Sequence, residues 1–226
     1  GRSQMTKITA ALTHRHFSIT TQQLTLKYII LTGADISTQS SAYSYGGSVY
    51  INGAGKLIAT NCLFNFNKAA FGGAIYATNG ASVNLTFTSV NSNTATSKGG
   101  AVYVTNADLF SILNASVRNN EGTDGGAMYF DGMNSININR TKITHNDGTG
   151  KGGAFYAKNV INVRFTTATI TRNTASSNGG AIYVESISAA DIFNTNISYN
   201  QASYGGVIYA QSGATLNLQD TNMASN

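Results

Sequence analysis

Gly-Gly pairs open at Gly46, Gly72, Gly99, Gly125, Gly152, Gly179 and Gly205, at intervals of 26 or 27 residues, and the fifth residue of every unit is Tyr. A fixed period of 20 to 50 residues marks a repeat architecture, in which each unit buries its apolar face only by stacking on its neighbours. Two more landmarks recur. Eleven residues after each Gly-Gly comes Leu57, Val83, Phe110, Ile136, Val163, Ala190 or Leu216. Asn closes the unit at Asn67, Asn93, Asn120, Asn146, Asn173, Asn200 and Asn226, three residues after Phe64, Val90, Val117, Ile143, Ile170, Ile197 or Met223. The length variation therefore lies between the Asn and the following Gly-Gly, which marks that stretch as the tolerant loop.

Within a unit the apolar residues alternate, the signature of half-buried strands. Val49, Ile75, Val102, Met128, Phe155, Ile182 and Ile208 form one inward column, and Ile51, Ala77, Val104, Phe130, Ala157, Val184 and Ala210 the next. A second strand turns pairs such as Val83 and Leu85, or Ile136 and Ile138, inward. A third alternates a small residue (Cys62, Thr88, Ala115, Thr141, Ala168, Thr195, Thr221) with the large apolar one before the Asn. Three short strands per unit and no helical pattern predict an all-β, right-handed parallel β-helix of the pectin-lyase-like type, each coil rising about 4.8 Å. The chain has no Pro, as befits strands whose amides must all donate to a neighbour. Residues 1–45 are expected to form irregular N-terminal coils, with Phe17 and Ile19 in one strand and Leu24, Leu26, Ile29 and Leu31 at inward spacing. Gln39 to Tyr45 is expected to be a loop insertion. Residues 46–226 form seven repeat coils, uncapped at Asn226, so that further sequence, another subunit or a cap is expected to cover the last coil.

Composition narrows the function. The 42% of apolar residues suffice for a core, and no apolar run reaches the roughly 18 residues of a membrane span. The net charge of +5 is spread thinly, without the basic cluster that a nucleic-acid surface requires. His14, His16 and His145 have no matching ligand set for a metal, and no cofactor is expected. Glu121, Asp124 and Asp147 are assigned to different loop positions, where they solvate turns. Cys62, the only cysteine, falls in an inward column as a buried core thiol.

In a stacked coil each repeated position becomes a row. The Asn column is expected to be a structural ladder whose amides donate to one coil and accept from the other, with Asn itself in the left-handed conformation of a tight turn. Tyr50, Tyr76, Tyr103, Tyr129, Tyr156, Tyr183 and Tyr209 are expected to point outward beside Ala74, Ala101, Ala127, Ala154 and Ala181. They would form an exposed stripe that either stabilises itself by ring stacking or docks another chain or a glycan. Asn-X-Ser/Thr sequons at Asn84, Asn114, Asn139 and Asn196 lie off the inward columns, where N-glycosylation is sterically open.

Gly72-Gly73-Ala74-Ile75, Gly99-Gly100-Ala101-Val102 and Gly179-Gly180-Ala181-Ile182, together with Phe64-Asn65-Phe66-Asn67, resemble the GGA-[Ile/Leu/Val] and Phe-x-x-Asn tetrapeptides of the chlamydial polymorphic membrane proteins. Similar repeats occur in large surface proteins of ciliates and algae. The resemblance covers residues 46–226. It implies a β-helix outside the cell or on its surface, used as an adhesin, stalk or filament subunit, with a second copy, a host or cell-surface protein or a glycan as partner. A carbohydrate-binding or polysaccharide-acting β-helix is the alternative. Ice binding would call for a flat Thr array, whereas the regular outward column identified here is Tyr.

Overall fold

The computed structural model describes residues 4–11, 13–40 and 44–226, and within these the regular structure is strand alone. All strands pair in parallel. One coil shows the plan: Val102–Thr105, Leu109–Leu113, Ser116–Arg118 and Glu121–Gly122. The first three segments belong to sheets of eight, eight and nine strands, and the last to a sheet of five. The chain is thus a parallel β-solenoid. The fourth sheet is an addition to the three expected strands. It occupies the stretch between the Asn and the Gly-Gly, where the strands are as short as two residues and change register at Ala95 and Lys98. Period-2 apolarity cannot register strands so short.

Register is kept without slippage along each of the three longer sheets: Tyr103 lies between Tyr76 and Tyr129, and Val117 between Val90 and Ile143. The N-terminal segment joins the same system. Phe17 and Ile19 pair with Val49 and Ile51, Leu24 and Leu26 with Leu57 and Ala59, and Leu31 with Phe64. The insertion expected over Gln39 to Tyr45 falls partly on residues 41–43, outside the described residues; Tyr45 itself bridges to Phe71.

The inward columns fuse into one core, where Phe110, Phe130, Phe155 and Phe165 meet at centroid separations of 4.9–5.2 Å. From Cys62 through Thr195 the small third-strand column is buried as expected, Thr221 being half-buried, and its polar members are satisfied locally: Thr88 Oγ1 donates to the carbonyls of Ala59 and Thr86, and Thr195 Oγ1 to that of Phe193. Cys62 is 3% exposed and its thiol donates to the Thr60 carbonyl. Burial pushes that thiol up, so it stays protonated and unreactive at neutral pH.

The Gly-Gly corner has a steric cause. Gly99 adopts φ +64, and a Cβ on Gly100 would collide with the carbonyl oxygen of Gly126 one coil away. The amides of Ala101 and Val102 then both donate to the Ala127 carbonyl, at 2.8 and 3.0 Å. This shared acceptor turns the chain before the strand begins. The five Ala residues therefore do not lie beside Tyr on the outer surface: all are fully buried in the main core. Alternation does not extend back through a corner.

The Asn ladder is present with one correction. Each side chain is buried from Asn67 through Asn200. Asn120 is typical: its Nδ2 donates to Asn146 Oδ1 (3.0 Å) and to the Val90 carbonyl (3.0 Å), while its Oδ1 accepts from the backbone amide and Nδ2 of Asn93. The left-handed residue is the one before the Asn: Phe66, Ser92, Asn119, His145, Arg172, Tyr199 and Ser225 have φ near +55. That bend swings the following side chain into the coil, where its amide replaces the missing strand pairing.

Replacing Asn120 with Ala strands the Val90 carbonyl and both Asn93 donors in the interior, each worth about 1–3 kcal/mol. Asn120→Ala is expected to lower stability by about 3 kcal/mol or more, and Asn137→Ala, on the half-exposed outer face, by no more than about 0.5 kcal/mol. Urea unfolding midpoints measure both, and equal losses would show that the ladder does not hold the coils.

Candidate functional site

Tyr50, Tyr76, Tyr103, Tyr129, Tyr156, Tyr183 and Tyr209 stack ring on ring at 4.6–5.5 Å, with interplanar angles of 3–21°. They are not the open stripe that alternation suggests. Tyr129, Tyr156 and Tyr183 are 3%, 6% and 0% exposed and make a second core outside the first sheet. Part of their cover is the residue just before four of the Gly-Gly pairs. Tyr45 packs on Tyr76 at 4.7 Å, and Phe71 meets Tyr103 edge-on at 5.5 Å. Lys98 Nζ lies 4.7 Å over the Tyr129 ring and donates to its hydroxyl, and Lys151 does the same for Tyr183. Alternation fixes the direction of a side chain but not whether the neighbouring corner folds over it.

The hydroxyls are engaged as well. Tyr183 Oη donates to Gln211 Oε1 at 2.8 Å, and Tyr156 Oη to Glu185 Oε2 at 3.3 Å. Burial alone would raise the Glu185 carboxyl, but Lys158 at 3.4 Å and the phenol donors hold it below its ordinary value. Among the phenols burial dominates: it pushes Tyr103 up to about 12, with Asp131 adding to the effect, and raises Tyr76, Tyr129 and Tyr156 further. The stack is closed at Tyr129, Tyr156 and Tyr183 and half-buried at Tyr50, Tyr76, Tyr103 and Tyr209, and it is held by offset stacking and cation–π contacts.

The sequons map to the second and third sheets. Asn84 is in mid-strand, Asn139 ends its strand, Asn114 sits at a corner with φ +50, and Asn196 is exposed at a strand start. Asn84, Asn114 and Asn139 are half-buried. His16 is held between Ser48 Oγ (2.9 Å) and the Ile8 carbonyl (3.1 Å), and burial lowers its pKa. Among the described residues no group of three His, Cys, Asp or Glu is arranged to hold a metal ion.

The outer face of the fourth sheet is built from the stretch between each ladder Asn and the next Gly-Gly. Glu121 and Asp147 are register partners there, not residues of different loop positions, because each directly follows its ladder Asn. Two places further on stand Thr96, Thr123, Thr149, Ser176 and Ser203, all exposed, separated from the first column by Ala95, Gly122, Gly148, Ala175 and Ala202. The chain therefore carries a regular outward hydroxyl column besides Tyr. The signal was in the sequence at Asn plus three, within the segment whose variable length obscured it. Hollows of about 450 and 570 Å³ lie along this face, one over Glu121 and Thr123 and the other over Asp147 and Ser176.

The family model of the Chlamydia polymorphic membrane protein repeat matches residues 87–105 and 167–185. Both segments are similar to that repeat. Each match begins at a left-handed corner residue, Phe87 or Thr167, runs through Asn93 or Asn173 and the Gly-Gly pair, and ends with the Tyr-bearing strand. The remaining coils stack the same columns in register with these two segments. No curated protein and no solved structure matches the chain.

The closed stack makes two predictions. A raised phenol pKa means that the folded state resists ionisation, so its stability contribution is complete below about pH 10, the ordinary phenol value, and is lost as pH rises through about 12 for Tyr103. Phenolate absorbance followed against pH should show a late group of tyrosines that joins the early one on denaturation; a single step near pH 10 in the folded protein would contradict burial. Tyr156→Ala is expected to cost about 3 kcal/mol or more and Tyr156→Phe about 1 kcal/mol, read from urea unfolding.

Proposed function

We propose that the chain is a non-enzymatic, surface-exposed adhesive scaffold, a β-helical rod that holds binding residues in register outside the cell. The observation that carries this reading is the polymorphic membrane protein repeat in two coils whose geometry all the repeat coils share. Polymorphic membrane proteins are proteins of the cell surface, and a surface rod calls for the features found here. Its stability comes from ladders and stacks and draws on no disulfide, since Cys62 is the only cysteine. Its inner columns are fixed by packing, while the outer positions of the second and third sheets differ from coil to coil. Such a frame presents contact residues without needing them for folding.

The non-enzymatic part rests on what its ionisable groups do. Lys98, Lys151 and Glu185 are engaged with the tyrosine stack, and His16 is tied between a hydroxyl and a carbonyl. These groups serve packing. Beads coated with the purified chain are expected to adhere saturably to cells or extracellular matrix, while the chain releases no reducing or unsaturated sugar from polysaccharides. Adhesion no greater than that of albumin-coated beads sinks the adhesive reading, and steady sugar release sinks the non-enzymatic one.

A further inference from the structure

Only one hydroxyl of the fourth-sheet column, that of Ser203, is bonded within the fold. Packing dictates the buried Ala and Gly between the columns, but an exposed side chain at that position can be any polar residue. Nonetheless Thr96, Thr123, Thr149, Ser176 and Ser203 keep a hydroxyl there through five successive coils. Ser203 Oγ donates to the Ser176 carbonyl, and in the neighbouring column Thr174 Oγ1 donates to Asp147 Oδ1 at 2.7 Å. The hydroxyls of Thr96, Thr123, Thr149 and Ser176 form no hydrogen bond to any described residue, and neither does the Glu121 carboxylate. Because the coils stack in register, these groups repeat at about 4.8 Å along the helix axis and span about 19 Å from Thr96 to Ser203. The two hollows lie end to end on the same face.

Deepening the adhesive reading, on which it rests, we infer that this trough binds a neutral, linear polysaccharide laid along the axis of the coil. The shape calls for a long, thin guest, and the regular rungs call for one whose polar groups also repeat. The lining excludes other guests. It holds no aromatic residue and no large aliphatic one, so an apolar peptide finds no anchor. Lys68 also lines the hollow over Glu121, but Glu121 and Asp147, side by side in register, outnumber it and disfavour a polyuronate or a sulfated polymer. The same carboxylates accept charge-assisted hydrogen bonds from sugar hydroxyls, and the Thr and Ser rungs both donate and accept. A neutral polysaccharide supplies donors and acceptors along its whole length and carries no charge to be repelled.

Sedimentation isotherms of the full chain with insoluble cellulose, chitin, mannan and β-1,3-glucan, and with alginate and polygalacturonate gels, test this. The chain is expected to bind at least one neutral polymer saturably and neither polyuronate. The triple variant Thr96→Val/Thr123→Val/Thr149→Val keeps shape and β-propensity and should weaken binding at least tenfold, as should Glu121→Gln/Asp147→Asn. Thr123→Arg, which blocks the trough from its exposed rim, is the second check should the triple variant fold poorly, and melting curves identify the folded variants. Unchanged affinity in the folded variants, preference for a polyuronate, or partition onto ice without polymer binding would overturn the inference. If coated beads adhere to cells but no polymer binds, the trough inference falls and the adhesive reading stands. If polymer binds and the beads adhere to no cell, the trough stands and the adhesive reading falls.

Discussion

A side-chain amide buried at one bend of each coil carries the constraint on which the rest of the solenoid depends. Strand pairing alone holds neighbouring coils along their sheets, but at the bend after the third sheet the backbone turns away and leaves amides and carbonyls to be satisfied. The side chains of Asn93, Asn120, Asn146 and Asn173 each make four or five hydrogen bonds there, linking three successive coils. Aspartate cannot substitute, since it lacks the donors, and Gln is a methylene too long for the space. The distance from Gly-Gly to Asn is therefore fixed, and with it the register of three sheets. Only the stretch beyond the ladder is free to change length.

The tyrosine stack adds a second layer on the opposite side of the first sheet. An antiparallel sheet commonly meets the core on one face and water on the other, whereas a parallel sheet calls for cover on both. Here the outer face is closed by aromatic rings and by residues from the preceding corners, so that Lys98 and Lys151 spend their charge over Tyr129 and Tyr183. The narrow coil thus gains apolar burial that its single interior could not provide.

The fold was legible in the sequence because a repeat writes each structural demand seven times. Gly99 with Gly100, Val102 with Val104, and Val117 three places before Asn120 were each recognisable as members of a column. Three things were not legible. The backbone strain of the bend falls on the residue before the Asn, where Phe66, His145 and Arg172 share no side-chain chemistry that would announce it. The covering of the tyrosines depends on Tyr45, Phe71, Lys98 and Lys151, which have one position in common and little else. The hydroxyl column was hidden because the segment holding it was classed by its variable length, although its first residues stay in register with the ladder. Side-chain direction follows from period; what lies on top of a side chain follows only from the corners.

In-register pairing of like columns means that the upper surface of one repeat coil complements the lower surface of any other. A coil copied or deleted by unequal recombination leaves no mismatched interface behind, provided that the cut spans one whole unit. The molecule is in this sense a ruler graduated in steps of about 4.8 Å, whose reach can be reset in a single genetic event without redesigning any contact.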